Sequence, residues 1–220
     1  MTSAKLDPIA QTNLRESAYQ ALHAAFTRGA FAPGDTLSLR TLAAELGISM
    51  TPVREAVRRL VAEGALIDTR SRKLLVPPFD ARRMADLKSA RLALETLVLD
   101  QVMEQIDADG IAALRAVLAR PADQGAPDLT RNYDFHFTLY RLSGSEVLLP
   151  MIEGLWLQYG AYLNLVIRED AAREVAEDEH HLAIIDGLER RDRQATLDAL
   201  TADIERSFAL LQARQTEHPA

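Results

Sequence analysis

GISMTPVREAVRRLVAEGAL, residues 47–66, joins a glycine-led break to a helix that carries Arg54, Arg58 and Arg59. Gly47-Ile48-Ser49-Met50 turns the chain sharply after the element before it. Thr51 is placed to cap the next helix, with Pro52 at its first position, where a missing N–H costs nothing. The helix is expected to run to Glu63 and to stop at Gly64.

Upstream, Leu14, Ala18, Ala21, Leu22, Ala25 and Phe26 recur at helical spacing over Leu14–Arg28, ending at Gly29. PGDTLS, residues 33–38, reads as a turn, and Ser38 can cap a helix over Leu39–Leu46. Downstream, ALIDTRSRKLLVPP has a short extended run, a basic turn (Arg70, Ser71, Arg72, Lys73) and a second apolar run, the pattern of a small β-hairpin. Helix, helix, break, arginine-bearing helix and hairpin follow one another in the order of a winged helix-turn-helix. Its second helix enters a DNA major groove with the N-terminal end leading. Ser49, Met50 and Thr51 stand at that end, and arginine suits both bases and phosphates through bidentate contacts. The basic hairpin tip can reach a neighbouring groove or the backbone.

The 220 residues contain no cysteine, which excludes disulfides and thiolate chemistry and fits a reducing, cytoplasmic compartment. The N-terminus lacks the apolar run of a signal peptide. Leu148–Ile167 is the most apolar window, but Glu153, Gln158 and Asn164 interrupt it, so it reads as a buried helix and not a membrane span. Charge is uneven: residues 1–83 hold 12 Lys/Arg against 8 Asp/Glu, and residues 84–220 hold 13 against 24. A basic front suits a polyanion, and an acidic back repels one. After Pro78 the patterns are helical throughout, at about 80–105, 109–119, 127–143, 147–168, 170–190 and 193–214. The expected fold is mainly α. A flexible arm over 1–11 precedes a winged helix-turn-helix over 12–78, and an all-α bundle of about six helices fills 79–220.

SLRTLAAELGISMTPVREAVRRLVAEGAL and AYQALHAAFTRGAFAPGDTL together resemble the DNA-binding domain of the GntR family of bacterial transcription regulators, over roughly residues 12–78. The resemblance implies DNA contacts by Arg40, Thr51 and Arg54, with Arg58 as a further candidate. Two departures bear on the operator sequence: Met50 replaces an arginine that reads guanine in many relatives, and Arg72-Lys73 occupies a wing position where glycine is common. The back half resembles the FadR-type subgroup with its FCD ligand-binding domain, over roughly residues 80–212, through ARLALE (90–95), NYDFHFTLYRLSGS (132–145) and EHHLAIIDGLERRD (179–192).

That resemblance implies a divalent metal in the bundle core, with Asn132, His136, His181 and Asp203 at the matching positions. Asn132 stands where the usual ligand is aspartate, and Asp203 where it is histidine. One carboxylate and two imidazoles remain, a set that suits zinc, nickel or manganese with an open position for a carboxylate effector. The alternative is a pair of hydrogen-bonded core histidines with Asp203 as their partner. Arg91 matches a family arginine that would anchor the effector's carboxylate, or it pairs with Glu95 at i+4. Tyr133, Trp156 and Tyr159 either line the effector cavity or are plain core.

The expected function is a ligand-responsive transcription regulator that binds a palindromic operator as a homodimer and answers to a small organic acid. The family's behaviour implies a repressor. Two alternatives are a metal-dependent hydrolase, for which no separate general base or nucleophile is visible, and an architectural DNA binder without effector.

Overall fold

The computed structural model describes residues 11–69, 73–120, 129–167 and 178–217. The expected arm lies outside them except for Gln11, which opens the first helix, and so do Arg70 and Arg72 of the expected wing tip. The head contains α1 (Gln11–Thr27), α2 (Leu39–Glu45) and α3 (Met50–Ala62). Ala18, Leu22 and Phe26, four residues apart on α1, are buried against Val53, Ala56, Val57 and Leu60 of α3. Ser38 caps α2 as expected, accepting from the Thr41 N–H at 3.1 Å.

The start of α3 differs from the expected one. Ser49, with extended φ and ψ, is the N-cap, so Met50 is the first helical residue and Pro52 the third. Proline is harmless at either place, because the first-turn N–H groups have no intrahelical acceptor. Gly47 and Gly64 flank the helix at φ +66° and +77°, where a side chain would be strained.

The hairpin is part of a three-stranded antiparallel sheet, ordered β1 (Thr36–Leu37), β3 (Leu74–Leu75), β2 (Ile67–Asp68). Thr36 and Ile67 both pair with Leu75. The segment read as a plain turn therefore supplies the sheet with an edge strand.

Six helices follow among the described residues: α4 (Ala81–Gln105), α5 (Ala108–Leu118), α6 (Leu129–Arg141), α7 (Leu148–Ile167), α8 (Glu179–Glu189) and α9 (Arg193–Glu217). Asp80 and Asp107 cap α4 and α5 through their carboxylates. The expected helix from residue 170 is described only from Glu179. The bundle core joins Val98, Leu99 and Val102 of α4, Leu114 of α5, Phe135 and Leu139 of α6, Ile184 and Ile185 of α8, and Leu200 and Ile204 of α9. No described helix is long and apolar enough to cross a membrane.

The apolar window of the sequence becomes α7, a helix shared by two cores. Trp156, Tyr159 and Leu163 belong to the bundle core, while Leu157 and Ala161 belong to the head core. Gly160 sits against the end of α1, where a Cβ would lie 2.2 Å from the Phe26 carbonyl oxygen and 2.8 Å from Thr27 Cα. Both are backbone atoms, so the neighbour cannot swing away. Gly160→Ala is expected to destabilise the chain by about 3 kcal/mol, the upper end of ordinary overpacking. The check is the denaturant midpoint, and a change of under a third of that value would show that α1 and α7 separate without penalty.

Candidate nucleic-acid interface and metal centre

α3 is amphipathic. Pro52, Val53, Ala56, Val57 and Leu60 are buried, which leaves Ser49, Met50, Thr51, Arg54 and Arg58 exposed along the outer face. The Ser49 hydroxyl makes no capping bond, so the first N–H groups of the helix and that hydroxyl are both open to a phosphate oxygen. Arg54, and Arg40 on α2, are exposed and make no ion pair among the described residues. Arg58 pairs with Glu55 at 2.9 Å, but both side chains are largely exposed. Such a pair is worth little and yields readily to a phosphate. A groove of about 410 Å³ between α3 and the sheet is bordered by Arg54, Arg58, Asp68 and Leu74. Lys73 is exposed at the wing.

The third arginine of the opening stretch has a different task. Arg59 lies 3.5 Å over the Tyr19 ring and bonds Glu63 at 3.0 Å. Tyr19 also donates to Glu63, so Arg59 ties α3 to α1 and does not face the same way as Arg54.

In the bundle, α6, α8 and α9 bring His136, His181 and Asp203 together, their ligand atoms all within 4.8 Å of one another. The two Nε2 atoms are 3.3 Å apart, and Asp203 lies 3.1 Å from His136 Nε2 and 3.8 Å from His181 Nε2. His181, Ile184, Ile185 and Leu188 form the inward stripe expected of α8, and all four are buried. Burial holds the His136 pKa below the usual imidazole value, against the pull of Asp203. For Asp203, burial alone would raise the pKa, but His136, His181 and Arg206 outweigh it and hold the carboxyl well below the usual range. Asn132, one turn before His136, is half-buried and makes no side-chain hydrogen bond to the three.

The outer nitrogens have their own neighbours. His136 Nδ1 is 3.0 Å from the Tyr140 hydroxyl, and His181 Nδ1 is 3.8 Å from Asp178 Oδ1. Tyr140 in turn donates to Glu95. Tyr140 thus holds the His136 ring by a hydrogen bond, whereas His181 Nδ1 has a carboxylate neighbour but no hydrogen bond among the described residues. The two Nε2 atoms converge on the position a metal would take. The residues therefore fit a divalent ion held by two nitrogens and a carboxylate. Tyr140 and Asp178 were missed in the sequence, although each stands one helical turn from its histidine, at i+4 and i−3.

Arg91 forms the expected pair with Glu95, at 2.6 and 3.2 Å. Trp156 donates to the same carboxylate at 3.0 Å. The Arg91 guanidinium lies 4.4 Å from the Trp156 ring and 4.8 Å from the Tyr159 ring. The Tyr159 hydroxyl is buried without a hydrogen-bond partner among the described residues, and burial pushes its pKa up to about 12. Tyr133 is half-buried, edge-on to Trp156.

Residues 86–206 match the FCD domain, and residues 14–73 match the bacterial regulatory proteins of the gntR family. The chain belongs to the GntR family. It is 29% identical over 191 residues to the HTH-type transcriptional regulator McbR of Escherichia coli, covering 83% of this chain and 86% of that one. It is 32% identical over 129 residues to the Nta operon transcriptional regulator of Aminobacter aminovorans, covering 57% and 61%. The solved structure of E. coli McbR/YncC superposes with a TM-score of 0.79 at 24% identity, covering 94% of this chain and 99% of that one. A putative GntR regulator from Rhodococcus sp. RHA1 gives 0.74 at 22% identity, covering 92% and 98%. Both show the same fold. GntR regulators bind DNA operators, and their FCD domains bind small molecules. The family consists of regulators and not enzymes, so the hydrolase alternative is set aside.

Within this GntR chain, Arg91 is 2% exposed and Glu95 0%. Glu95→Leu would leave the guanidinium buried and unpaired, at an expected loss of about 3–5 kcal/mol. Arg91→Met combined with Glu95→Leu is expected to recover most of that loss in denaturant unfolding. A double variant as unstable as the single one would mean that the remaining hydrogen bonds, and not the charge pair, dominate.

Proposed function

We propose that this regulator binds a palindromic operator as a homodimer in the cytoplasm, and that a small organic acid in the bundle controls its DNA affinity through a divalent metal. The carrying observation is the convergence of His136 Nε2, His181 Nε2 and Asp203, with both Nδ1 atoms turned outward. Asn132, one helical turn before His136 on α6, would add a carbonyl oxygen. Zinc, nickel or manganese accepts such a set and keeps a position open, and the ion supplies the positive charge that a carboxylate seeks. Arg91, the unpartnered Tyr159 hydroxyl and the rings of Trp156 and Tyr133 would line the rest of the effector's seat. The measurement is elemental mass spectrometry on untagged protein purified without chelator. About one metal per chain, lost in His181→Ala, supports the metal. Metal-free protein that takes up none on addition would leave Asp203 as a hydrogen-bond partner of two histidines, and the effector to Arg91.

DNA binding by α3 is supported by Arg54 and Arg40, which stand exposed and without an ion pair among the described residues, beside the open N-terminus of that helix. A dimer is required because one small head makes few contacts, and two heads would address half-sites about 34–36 Å apart, or a multiple of that. Binding represses when the operator overlaps a promoter, and the effector acts by favouring one placement of the two heads. On a fragment selected by the wild-type chain from random DNA, Arg54→Ala is expected to lose about 1–3 kcal/mol of affinity, roughly tenfold to a hundredfold. An unchanged gel shift would remove α3 as the reading helix.

A further inference from the structure

One guanidinium of the bundle reaches the end of the recognition helix. Arg83, in the first turn of α4, donates from one terminal nitrogen to the Gly64 carbonyl at 2.8 Å and to Gln158 Oε1 of α7 at 2.7 Å. Gly64 directly follows the C-cap of α3, where unpaired carbonyls and the negative end of the helix dipole favour a cation. The backbone conformation at Gly64 disfavours any side chain, and one would also crowd the clamp. A Cβ on Gly64 would lie 3.2 Å from Gln158 Oε1 and 3.4 Å from the Arg83 nitrogen, at a φ of +77°.

Gln158 sits between two sets of contacts on one rigid helix. Trp156 and Tyr159 face Arg91, and the Trp156 ring lies 5.1 Å from that of His136. Leu157, Gly160 and Ala161 face the head. One turn on, Tyr162 donates to the carbonyls of Pro77 and Pro78, which join head to bundle. An ion pair of Arg28 with Asp134 adds a longer link, at 3.9 Å. The shorter polar links of Arg83 and Tyr162 both involve α7. A shift of α7 at Trp156 would therefore move Gln158, the hydrogen-bond partner of Arg83 at the end of α3.

We propose that Arg83 is a positioning residue which, with Gln158, clamps the C-terminal end of the recognition helix to α7 and so sets the angle of the DNA-reading head against the bundle. This deepens the regulatory reading by naming the part that an effector beside Trp156 would move. The clamp is a property of the chain without DNA or metal, so it fails or stands separately from the operator and metal assignments.

The chain has no cysteine, which allows clean spin labelling. Ala44→Cys on α2 with Ala113→Cys on α5, both exposed, would report head against bundle. Ala113→Cys with Asp198→Cys on α9 would report the bundle alone. The full chain, diluted with unlabelled protein, is measured by double electron–electron resonance with and without Arg83→Met, which keeps the apolar stem, and Gln158→Leu, which leaves Arg83 intact. The expected result is one narrow head-to-bundle distance in the parent and a broadened or multiple distribution in both variants, with the bundle pair unchanged. Head-to-bundle distributions as narrow as the parent's in both variants overturn the clamp. Equal broadening of both pairs in both variants also overturns it, because the residues would then support the fold in general.

Discussion

Glu95 accepts hydrogen bonds from Arg91, Trp156 and Tyr140 in a site with no solvent exposure. An isolated carboxylate there would be neutralised or expelled, since moving one ion out of water costs several kcal/mol even after relaxation. The arginine one turn earlier makes the burial tolerable, and the indole and phenol use the remaining lone pairs. This one carboxylate has geometric consequences. It holds Trp156 of α7 and Tyr140 of α6 against α4, and Tyr140 then meets His136 Nδ1 and turns Nε2 toward His181 and Asp203. The histidine–aspartate cluster and the buried arginine are two ends of the same hydrogen-bonded chain.

The second constraint is that head and bundle both pack on the middle of α7. Its sequence is apolar enough to suggest a membrane window because the two cores bury it from opposite directions. Gly160 marks a point where the head's backbone comes into close contact. Two cores that share a helix do not behave as beads on a string. In the proposed dimer, heads that swung freely would spread over many separations, whereas an operator with fixed half-site spacing would favour heads that are already placed.

Local signals were legible in the sequence, and distant ones were not. The three head helices, the Ser38 cap, the hairpin and six bundle helices all follow from apolar period and from glycine and proline punctuation. The α8 stripe and the Arg91–Glu95 pair follow from helical spacing. Ser49 and Thr51 are equally good caps by type, and the choice between them depends on how tightly Gly47 and Ile48 fold back, which no propensity records. β1 was hidden because a two-residue strand has no period to detect and exists only by pairing with β3. Arg59 looked like Arg54 and Arg58, yet Tyr19, 40 positions earlier, takes it. Gly64 shows in the sequence as a helix stop and Gln158 as a polar break in an apolar window, but their meeting with Arg83 carries no mark until the chain is folded, because it spans separations of 19 and 75 residues.

The charge balance of the buried site bears on the ligand it can take. Arg91 is already matched by Glu95, and Arg131, 3.1 Å from Asp178, is matched as well. Burial favours the neutral form of His136, while Asp203 stays ionised with the half-buried Arg206 nearby, at 3.7 Å. A carboxylate ligand brought to Arg91 would thus meet two buried carboxylates and one shared cation. In a medium of low dielectric that repulsion outweighs a hydrogen bond or two. An acid ligand of the kind proposed would therefore bind more readily if positive charge entered with it. A divalent ion between His136, His181 and Asp203 would supply it without any rearrangement of the chain, whereas a proton on His136 must overcome its desolvation. The replacement of aspartate by Asn132 and of histidine by Asp203 then matters less than the charge that the cluster keeps. A site that offers one carboxylate and two imidazole nitrogens to a divalent ion would still gain a net positive charge on loading, and an acid effector would answer to that charge.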